Sequence, residues 1–484
     1  MRAVKVLMCS ALLATCVAWL SAGQARPAGG AVLYEGARLI AGDGRAPTES
    51  SAFLVENAKF TRVGRKGEIP LPAGGTRVDL TGKTVIPGII DIHNHLGWTD
   101  HKTNRATKTS YNRELVIDHL QRYAYYGIVA AMSLGLDRWD VNADMPYKLR
   151  DEIVPNAARY LMVGRGIAAT PMAGPPVDYR LGVPYGAETE ADGRARVREL
   201  KDKKVEMVKI WVDDRLKTVP KLQVKVYEAI VDEAHKNNMR VVAHIFDLDD
   251  GKQLLKSGVD GFAHGVRNMD VDDEYIAIVK QHPKTWVGPN LPGRPLSAAE
   301  REAEIAALAE TFPPSQIKRM RDQLANRQGG AGGARGGRAE GGGRAEGGGR
   351  AAGGARGGPT APADPFGIQC RNLKKVHDAG MIIGLGTDGA GDIGWSAHTE
   401  LADMVTCGLT PAEAIVAGTR TSAEILKLND LGTVAPGKSA DFVVLTANPL
   451  DNIVNTRKID KVYMRGTAVD RAALSKSFTT EAAN

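Results

Sequence analysis

The chain has little cysteine, which limits what disulfide bonds can contribute to its fold. It has four cysteines in 484 residues, and two of them, Cys9 and Cys16, fall in an apolar stretch near the start. That leaves Cys370 and Cys407 for a mature protein. These two could pair in an oxidising compartment or remain buried free thiols, because nothing in the sequence fixes the distance between them.

Long apolar runs are scarce, and the one at residues 6–20 is short for a membrane span of about 20 residues. Arg2 and Lys5 precede it, and small residues suited to cleavage follow it. We therefore expect a signal peptide at residues 1–25, a protein exported to the periplasm or secreted, and no stable membrane span. The less favoured alternative is that the apolar segment is kept as a membrane anchor. Lipidation at Cys16 is also less favoured, because the preceding Thr15 fits a lipoprotein motif poorly.

Aromatic residues are missing from the most unusual segment, residues 329–358, where 16 of 30 residues are glycine and RAEGGG recurs. It has almost no apolar surface to offset the entropy cost of ordering, so we predict a disordered Gly/Arg-rich insert. Its five arginines and two glutamates give it +3. Arg2 and Lys5 account for two more of the chain's +7, so the folded body carries about +2. Without aromatics to stack on bases, and with export expected, we expect no nucleic-acid partner.

Metal-binding side chains stand at the ends of predicted strands. In VIPGIIDIHNH, residues 85–92 are apolar and β-branched, as in a strand buried on both faces, and His93 and His95 follow. Their spacing of two aims both rings at one point. Imidazole and carboxylate suit zinc and similar divalent ions, and a catalytic site needs open coordination positions. Later predicted strands end at further candidates, which are Lys209, His244, His264 and Asp388.

Eight short apolar strands are predicted, with helical stretches such as residues 221–237 between several of them. This alternation predicts an α/β protein with a (β/α)8 TIM-like barrel, whose chemistry lies at the carboxyl ends of its strands. The predicted strands are residues 85–92, 128–132, 160–163, 205–211, 241–244, 261–264, 285–287 and 381–388.

Both ends of the chain show a different pattern. Short alternating runs broken by glycine occur in residues 26–86 and again in residues 431–484, and they predict antiparallel strands. The barrel would then occupy residues 87–430.

These motifs resemble the metal-dependent amidohydrolase superfamily, in its imidazolonepropionase-like and prolidase-like branch. The resemblance covers most of the mature chain. The motifs that carry it are TGKTVIPGIIDIHNHLG at residues 81–97, MVKIW at 207–211, VVAHIF at 241–246, GVDGFAHG at 258–265, IIGLGTDGAG at 382–391 and LGTVAPGKSADFVVLTANPL at 431–450.

The resemblance implies a dinuclear metal site, with zinc the expected metal. One ion would be held by His93, His95 and Asp388, the other by His244 and His264, and a carbamylated Lys209 would bridge them. Burial lowers the pKa of a lysine, and its neutral amine can then react with carbon dioxide. The alternative is an ordinary salt bridge of Lys209 inside the barrel. The resemblance also implies that both chain ends join in one small β-sandwich.

The implied function is that of an exported amidohydrolase, which cleaves amide bonds of dipeptides or N-acyl amino acids with a metal-bridging hydroxide. Asp388 would act as general base and acid, or alternatively as a ligand only. A cyclic amide or lactone hydrolase on the same site is the alternative. A non-catalytic metal-stabilised binding protein is a more remote one and would predict one closed four-ligand site. The expected partner is a small-molecule or peptide substrate, and a homo-oligomer is possible.

Substrate contacts are less clear from the sequence. His398 follows the last strand and would either position substrate or cap a helix. Asp213 and Asp214 lie just beyond the fourth strand, and Asp247 and Asp249 beyond the fifth. They suggest a cationic substrate, with solvated loop charges as the alternative. The remaining histidines lack ligand spacing and are expected to be surface or packing residues; they are His101, His119, His235, His282 and His377.

Overall fold

The computed structural model describes residues 30–107, 109–138, 144–172, 181–205, 207–329, 362–389 and 392–482. The predicted signal peptide, and the predicted insert beyond residue 329, lie outside the described residues. No helix of the described part combines the length and apolar character needed to cross a membrane.

The strands and helices follow in chain order. The strands are β1 (Val32–Glu35), β2 (Arg38–Leu39), β3 (Ser51–Glu56), β4 (Lys59–Arg65), β5 (Thr76–Asp79), β6 (Thr84–Pro87), β7 (Ile89–Asn94), β8 (Thr99–Asp100), β9 (Arg105–Ala106), β10 (Ile128–Ser133), β11 (Arg159–Met162), β12 (Ile167–Ala168), β13 (Tyr185–Gly186), β14 (Met207–Val212), β15 (Arg240–Ile245), β16 (Gly261–Phe262), β17 (Trp286–Val287), β18 (Ile382–Ile383), β19 (Phe442–Leu445), β20 (Ile459–Met464) and β21 (Thr467–Ala468). The helices are α1 (Arg113–Tyr125), α2 (Met145–Arg150), α3 (Glu190–Asp202), α4 (Val224–Lys236), α5 (Leu248–Lys256), α6 (Asp273–Gln281), α7 (Ala298–Leu308), α8 (Pro314–Gly329), α9 (Pro365–Asp378), α10 (Trp395–Thr406), α11 (Pro411–Val416), α12 (Ser422–Ile425) and α13 (Arg471–Thr479).

Parallel strands with helices between them make up the larger part of the molecule. One sheet has the order β11-β10-β7, and a second has the order β13-β12-β14-β15-β16-β17-β18. Each of the eight predicted stretches overlaps one of these strands, so the predicted α/β class is confirmed. The amide of Ile92 in β7 also donates to the carbonyl of Leu385 (2.8 Å), just beyond β18. Closure into a (β/α)8 barrel stays a prediction.

The predicted strand at residues 85–92 is wrong in one respect, because the chain changes sheets within it. β6 pairs antiparallel with β19, whereas β7 pairs parallel with β10. Gly88 lies at the change. A Cβ on Gly88 would lie 2.3 Å from Cγ1 of Val129 in β10, so only glycine allows this close approach.

Two smaller sheets contain the antiparallel strands from both ends of the chain. Their orders are β4-β3-β1-β5 and β2-β6-β19-β20-β21. Aromatic side chains from both sheets share one apolar core, in which the ring centroids of Tyr34 and Phe53 are 5.1 Å apart and those of Phe442 and Tyr463 are 4.5 Å apart. Such ring pairs bury large apolar areas and add specific contact energy. The predicted β-sandwich is consistent with this core and remains a prediction.

The two cysteines that the sequence left open form a disulfide bond. Cys370 lies in α9, and Cys407 directly follows α10. Their Cα atoms are 4.7 Å apart, within the usual range for a bonded pair. The bond therefore ties together the helices before and after the segment that carries Asp388.

We expect the double variant Cys370→Ser/Cys407→Ser to lower the free energy of unfolding by about 4 kcal/mol. This follows from the loop entropy that a cross-link removes from the unfolded chain, for a sequence separation of 37 residues. Urea unfolding of the variant would measure it, and wild-type protein under reducing conditions should match the variant. Unchanged stability in both samples would mean that the cysteines are not bonded.

Candidate metal centre

The predicted ligands lie at one edge of the parallel strands. His93 is in β7, Lys209 in β14 and His244 in β15, while His264 follows β16 and Asp388 follows β18. The carboxyl ends of parallel strands meet at a common edge, so these residues converge although they are far apart in sequence. The three histidines and Lys209 are at most 3% exposed, whereas the side chain of Asp388 is 22% exposed.

Four imidazoles form a row, with Asp388 beside it. The ring centroids of His95 and His93 are 5.3 Å apart, those of His93 and His264 are 4.8 Å apart, and those of His264 and His244 are 4.7 Å apart. Asp388 Oδ1 lies 3.1 Å from His95 Nε2 and 3.6 Å from His93 Nε2. One donor atom each from His93, His95 and Asp388 lies within 4.8 Å of the other two, so these residues form a candidate metal-binding group.

The backbone at Asp388 is held in an unusual conformation. Its φ is +46°, in the left-handed region that non-glycine residues seldom adopt. The amides of Thr387 and Asp388 both donate to the carbonyl of His93, at 3.1 and 2.8 Å. Strained backbone of this kind persists where surrounding contacts enforce it, often at functional sites. These hydrogen bonds fix Asp388 relative to the first two histidines.

A buried carboxylate, which the sequence analysis missed, supports the same region. Asp91 accepts hydrogen bonds from the amide of His93 (3.0 Å), from Tyr123 Oη (2.8 Å) and from Thr387 Oγ1 (2.7 Å). Burial raises the pKa of Asp91 to about 6, although these hydrogen bonds act in the opposite direction. Its signal in the sequence was a single acidic residue within an apolar, β-branched run. Asp91 links β7 to the loop that carries Asp388.

Lys209 lies in a cradle of two glycines. A Cβ on Gly135 would lie 2.7 Å from Lys209 Cγ, and one on Gly166 would lie 3.1 Å from it. The pKa of Lys209 is lowered to about 7, mainly by burial; the charge of Asp388 opposes this shift, and the charges of Arg267 and Arg215 act in the same direction as burial. A neutral amine is therefore accessible near neutral pH. The alternative of an ordinary salt bridge gains no support, because Nζ has no hydrogen-bond partner among the described residues.

The charge states of the cluster suit a divalent cation. Burial is the main reason that the pKa values of His93, His244 and His264 lie well below the usual value, so these rings are neutral, as metal ligands must be. Removal from water raises the pKa of Asp388, but the contacts with His93 and His95, including the hydrogen bond from His95, lower it more, so the pKa lies well below its usual value. The cluster thus offers neutral imidazoles and one carboxylate.

Two buried atoms test whether the residues fit a metal. His93 Nδ1 lies 3.1 Å from the carbonyl of Ala263, which can only accept, so Nδ1 carries the proton and Nε2 presents a lone pair. Within the described residues, neither His93 Nε2 nor Lys209 Nζ has a hydrogen-bond partner. Buried polar atoms without partners are rare and point to an ion, a water molecule or a functional role. The donor set therefore fits a metal.

Asn290 is a second residue that the sequence analysis missed. Its Nδ2 lies 2.6 Å from His264 Nδ1 and 3.5 Å from Asp388 Oδ2. An amide nitrogen can only donate, so in this orientation His264 Nδ1 is the acceptor. With the amide turned, Asn290 Oδ1 would accept from Nδ1–H and leave the lone pair on Nε2, as in the usual outer partner of a metal-binding histidine. The signal was weak, since Asn290 is one polar residue shortly after the seventh predicted strand.

His398 is not part of the cluster. It is 1% exposed, with Nδ1 3.0 Å from Thr456 Oγ1 and Nε2 2.9 Å from the carbonyl of Tyr126. It lies inside α10 and does not cap that helix. Both ring nitrogens thus contact protein, so His398 joins packed elements, and its role in positioning substrate stays a prediction.

The predicted acidic residues are engaged within the protein. Asp214 accepts from the amide of Lys217 (3.0 Å) and lies 3.9 Å from Lys221 Nζ. The same Nζ is 3.1 Å from Asp247 and 2.7 Å from Asp250, so a lysine of the chain lies among these carboxylates. Asp249 is exposed in the first turn of α5, and Asp213 contacts His244. These contacts agree better with loop charges than with a cationic substrate.

A second group, His101, Asp118 and His119, also has donor atoms within 4.8 Å of one another. It fits a metal poorly. His119 Nδ1 accepts from the amide of Gly97 (3.0 Å), and its Nε2 lies 2.8 Å from a backbone carbonyl. Asp118 binds Arg122 at 2.7 Å. Of the three residues, His101 alone has ring nitrogens without partners, so this group lacks a usable donor set.

Comparison with known proteins identifies the family. Residues 84–469 match the model of the Amidohydrolase family. The match covers most of the chain, so the protein belongs to the amidohydrolase family, whose name describes hydrolysis of amide bonds. The predicted superfamily is thereby confirmed.

Individual relatives are more distant. An uncharacterized protein of Mycobacterium tuberculosis is 25% identical over 272 residues, which are 54% of this chain and 64% of that protein. The imidazolonepropionase of Deinococcus deserti is 36% identical over 103 residues, which are 20% of this chain and 26% of the enzyme. The chain thus spans less than two thirds of these relatives.

The fold resembles that of a solved Xaa-Pro dipeptidase with methionine bound in its active site. The TM-score is 0.64 at 19% identity, and the likeness covers 90% of this chain and 99% of the dipeptidase. At this identity the likeness shows a shared fold.

Proposed function

We propose that the protein is a dinuclear metal-dependent hydrolase of carbon–nitrogen bonds, which acts on the amide bonds of dipeptides or N-acyl amino acids. The observation that carries the proposal is the convergence of four histidines, Asp388 and Lys209, with His93 Nε2 and Lys209 Nζ buried and without hydrogen-bond partners among the described residues. Family membership supports the type of reaction.

The ligands would divide into two groups. His93, His95 and Asp388 would hold one ion, His244 and His264 the other, and carbamylated Lys209 would lie between them. Zinc suits these nitrogen and oxygen donors. When bound, two such ions lower the pKa of a water molecule and polarise the scissile carbonyl. The low pKa of the Lys209 amine and its glycine cradle support the carbamate.

Asp388 would move the proton. It is ionised in its setting, so it can accept a proton from the attacking water and return it to the leaving amine. Its hydrogen-bonded backbone keeps the carboxylate near His95 and His93. Its 22% exposure leaves one side open to water and substrate, unlike the buried histidines.

The proposal includes the domain organisation and location. The parallel strands would close as a (β/α)8 barrel over residues 87–430, with a β-sandwich formed by residues 26–86 and 431–484. The hydrogen bond from Ile92 to Leu385 supports closure, because it joins the first strand to the last. Residues 1–25 would be a signal peptide of an exported protein. The Cys370–Cys407 bond supports export, since disulfides persist in oxidising compartments.

The test is metal analysis of the purified mature protein together with a substrate panel. We expect about two zinc ions per chain and hydrolysis of dipeptides or N-acyl amino acids that stops on metal removal and returns on metal addition. Hydrolysis of cyclic amides or lactones alone would favour the alternative substrate class. One tightly bound ion with no hydrolysis would favour a metal-stabilised binding protein.

A further inference from the structure

The carboxylate of Asp213 lies directly against His244, on the side of the ring that carries Nε2. Asp213 Oδ2 is 2.8 Å from this nitrogen, and both side chains are at most 5% exposed. An ionised carboxylate can only accept a hydrogen bond, so Nε2 must carry the proton. The lone pair is then on Nδ1. The contact therefore selects the tautomer in which His244 can bind a metal through Nδ1.

A competing contact to the same nitrogen is weaker. Arg267 Nη2 lies 3.4 Å from His244 Nε2 and 3.3 Å from the carbonyl of Ile245. If Nε2 accepted from Arg267, its lone pair would face the carboxylate of Asp213 at 2.8 Å, which is repulsive. The shorter, charge-assisted hydrogen bond to Asp213 therefore determines the tautomer and the orientation of the His244 ring.

Asp213 is itself held by the loop that follows β14. Its Oδ1 accepts from the amide of Arg215 (2.8 Å), and its Oδ2 lies 3.4 Å from Arg215 Nε. Three consecutive residues, Arg215, Leu216 and Lys217, have φ values of +51°, +57° and +65°. Left-handed residues other than glycine are disfavoured, so this turn depends on its local contacts. One of them is the hydrogen bond from the amide of Lys217 to Asp214.

The strand register explains how Asp213 reaches His244. Trp211 in β14 is the Cα partner of His244 in β15, and Asp213 follows two positions later. The same strand carries Lys209, so β14 supplies both a proposed ligand and the support for a ligand of the neighbouring strand. Histidine ligands commonly have such a carboxylate partner on the nitrogen that does not bind metal.

We propose that Asp213 is a positioning residue, which orients His244 for the second metal ion and raises the affinity of that site. The proposal rests on the metal centre of the proposed function. Asp213 would thus act on His244, one of the metal-binding residues, whereas the sequence suggested that Asp213 contacts the substrate. Asp214 would have no direct role on a ligand, because its contacts are to Lys217 and Lys221, and asparagine at this position keeps the oxygen that accepts from the Lys217 amide.

The test is the zinc affinity of metal-free protein, measured by competition with a chromophoric chelator and without substrate. We expect Asp213→Ala to bind the weaker zinc ion about 100-fold less tightly and Asp213→Asn about 10-fold less tightly, since losing such a partner costs 10- to 100-fold. The amide of Asn still accepts a hydrogen bond, but a neutral one. The matched control, Asp214→Asn, should keep wild-type affinity for both ions.

Wild-type zinc affinity in Asp213→Asn would overturn the proposal, and so would an equal loss in Asp214→Asn. If Asp213→Ala does not fold, the nearly isosteric Asn variant decides. Because the assay contains no substrate, it separates this proposal from the proposed reaction. A wild-type protein that binds two zinc ions but cleaves nothing would refute the reaction, while weaker zinc binding by Asp213→Asn would still support the role of Asp213. A wild-type protein that binds no zinc would overturn both.

Discussion

Replacing Asp388 by asparagine is expected to lower kcat by about 10²- to 10⁴-fold, the usual contribution of a general acid or base, while most of the metal stays bound. The amide cannot take up a proton from water, but its oxygen can still approach a cation. Asparagine also tolerates the left-handed backbone at this position, where φ is +46°. The variant therefore changes the chemistry of the side chain with little change to the loop. Steady-state kinetics and metal analysis of the same sample would measure both effects.

A suitable control is Asp270→Asn. Asp270 is an exposed carboxylate that pairs with Arg371 at 2.7 Å, and its loss should leave kcat unchanged. If Asp388→Asn retained near-normal turnover, Asp388 would be a ligand only, and the proton would have to move through another group.

Replacing Lys209 by methionine is expected to abolish hydrolysis and to reduce the metal content from about two ions per chain towards one. Methionine has a similar length and an apolar, flexible side chain, so it can occupy the cradle between Gly135 and Gly166 without leaving a cavity. It cannot form a carbamate. Residues that only support a metal ligand already contribute 10- to 100-fold to metal affinity. Loss of a bridging ligand itself should therefore lower the metal affinity by more than about 100-fold. Metal analysis and the substrate panel would show both losses.

Two further variants make this result specific to Lys209. Lys221→Met removes a lysine that pairs with Asp250 at 2.7 Å, and it should keep both metal ions and activity. Lys209→Ala leaves space for a small carboxylate, so added acetate or propionate should restore part of its activity. Full metal content and normal rates in Lys209→Met would mean that the lysine is not a ligand.

The sequence predicted the parallel strands well and placed the candidate ligands at their ends, because both depend on local patterns. A strand buried on both faces is a short apolar run, and the residue that ends it lies at the edge where chemistry occurs. His93, His244 and Lys209 were found in this way. The change of sheet at Gly88 was missed, since the run on either side of it is equally apolar and β-branched.

Contacts between distant parts of the chain could not be predicted. Asp213 was correctly placed at a strand end, but its direction towards His244 depends on the register of two strands and on an unusual turn. Likewise, His398 contacts Thr456 and Tyr126, which lie far from it in the sequence. Periodicity shows which face of a helix or strand is buried, but it does not show which residues that face contacts.

The pairing of β6 with β19 has a consequence for the order in which the molecule assembles. Pro87 pairs with Phe442, a residue 355 positions later, so this antiparallel contact cannot form until nearly the whole chain has been synthesised. Contacts of such long range form slowly. Until β19 is available, β6 has an unpaired edge, which favours aggregation. Shortened chains that lack β19 should therefore be recovered mainly as insoluble material, even though every candidate ligand is present in them.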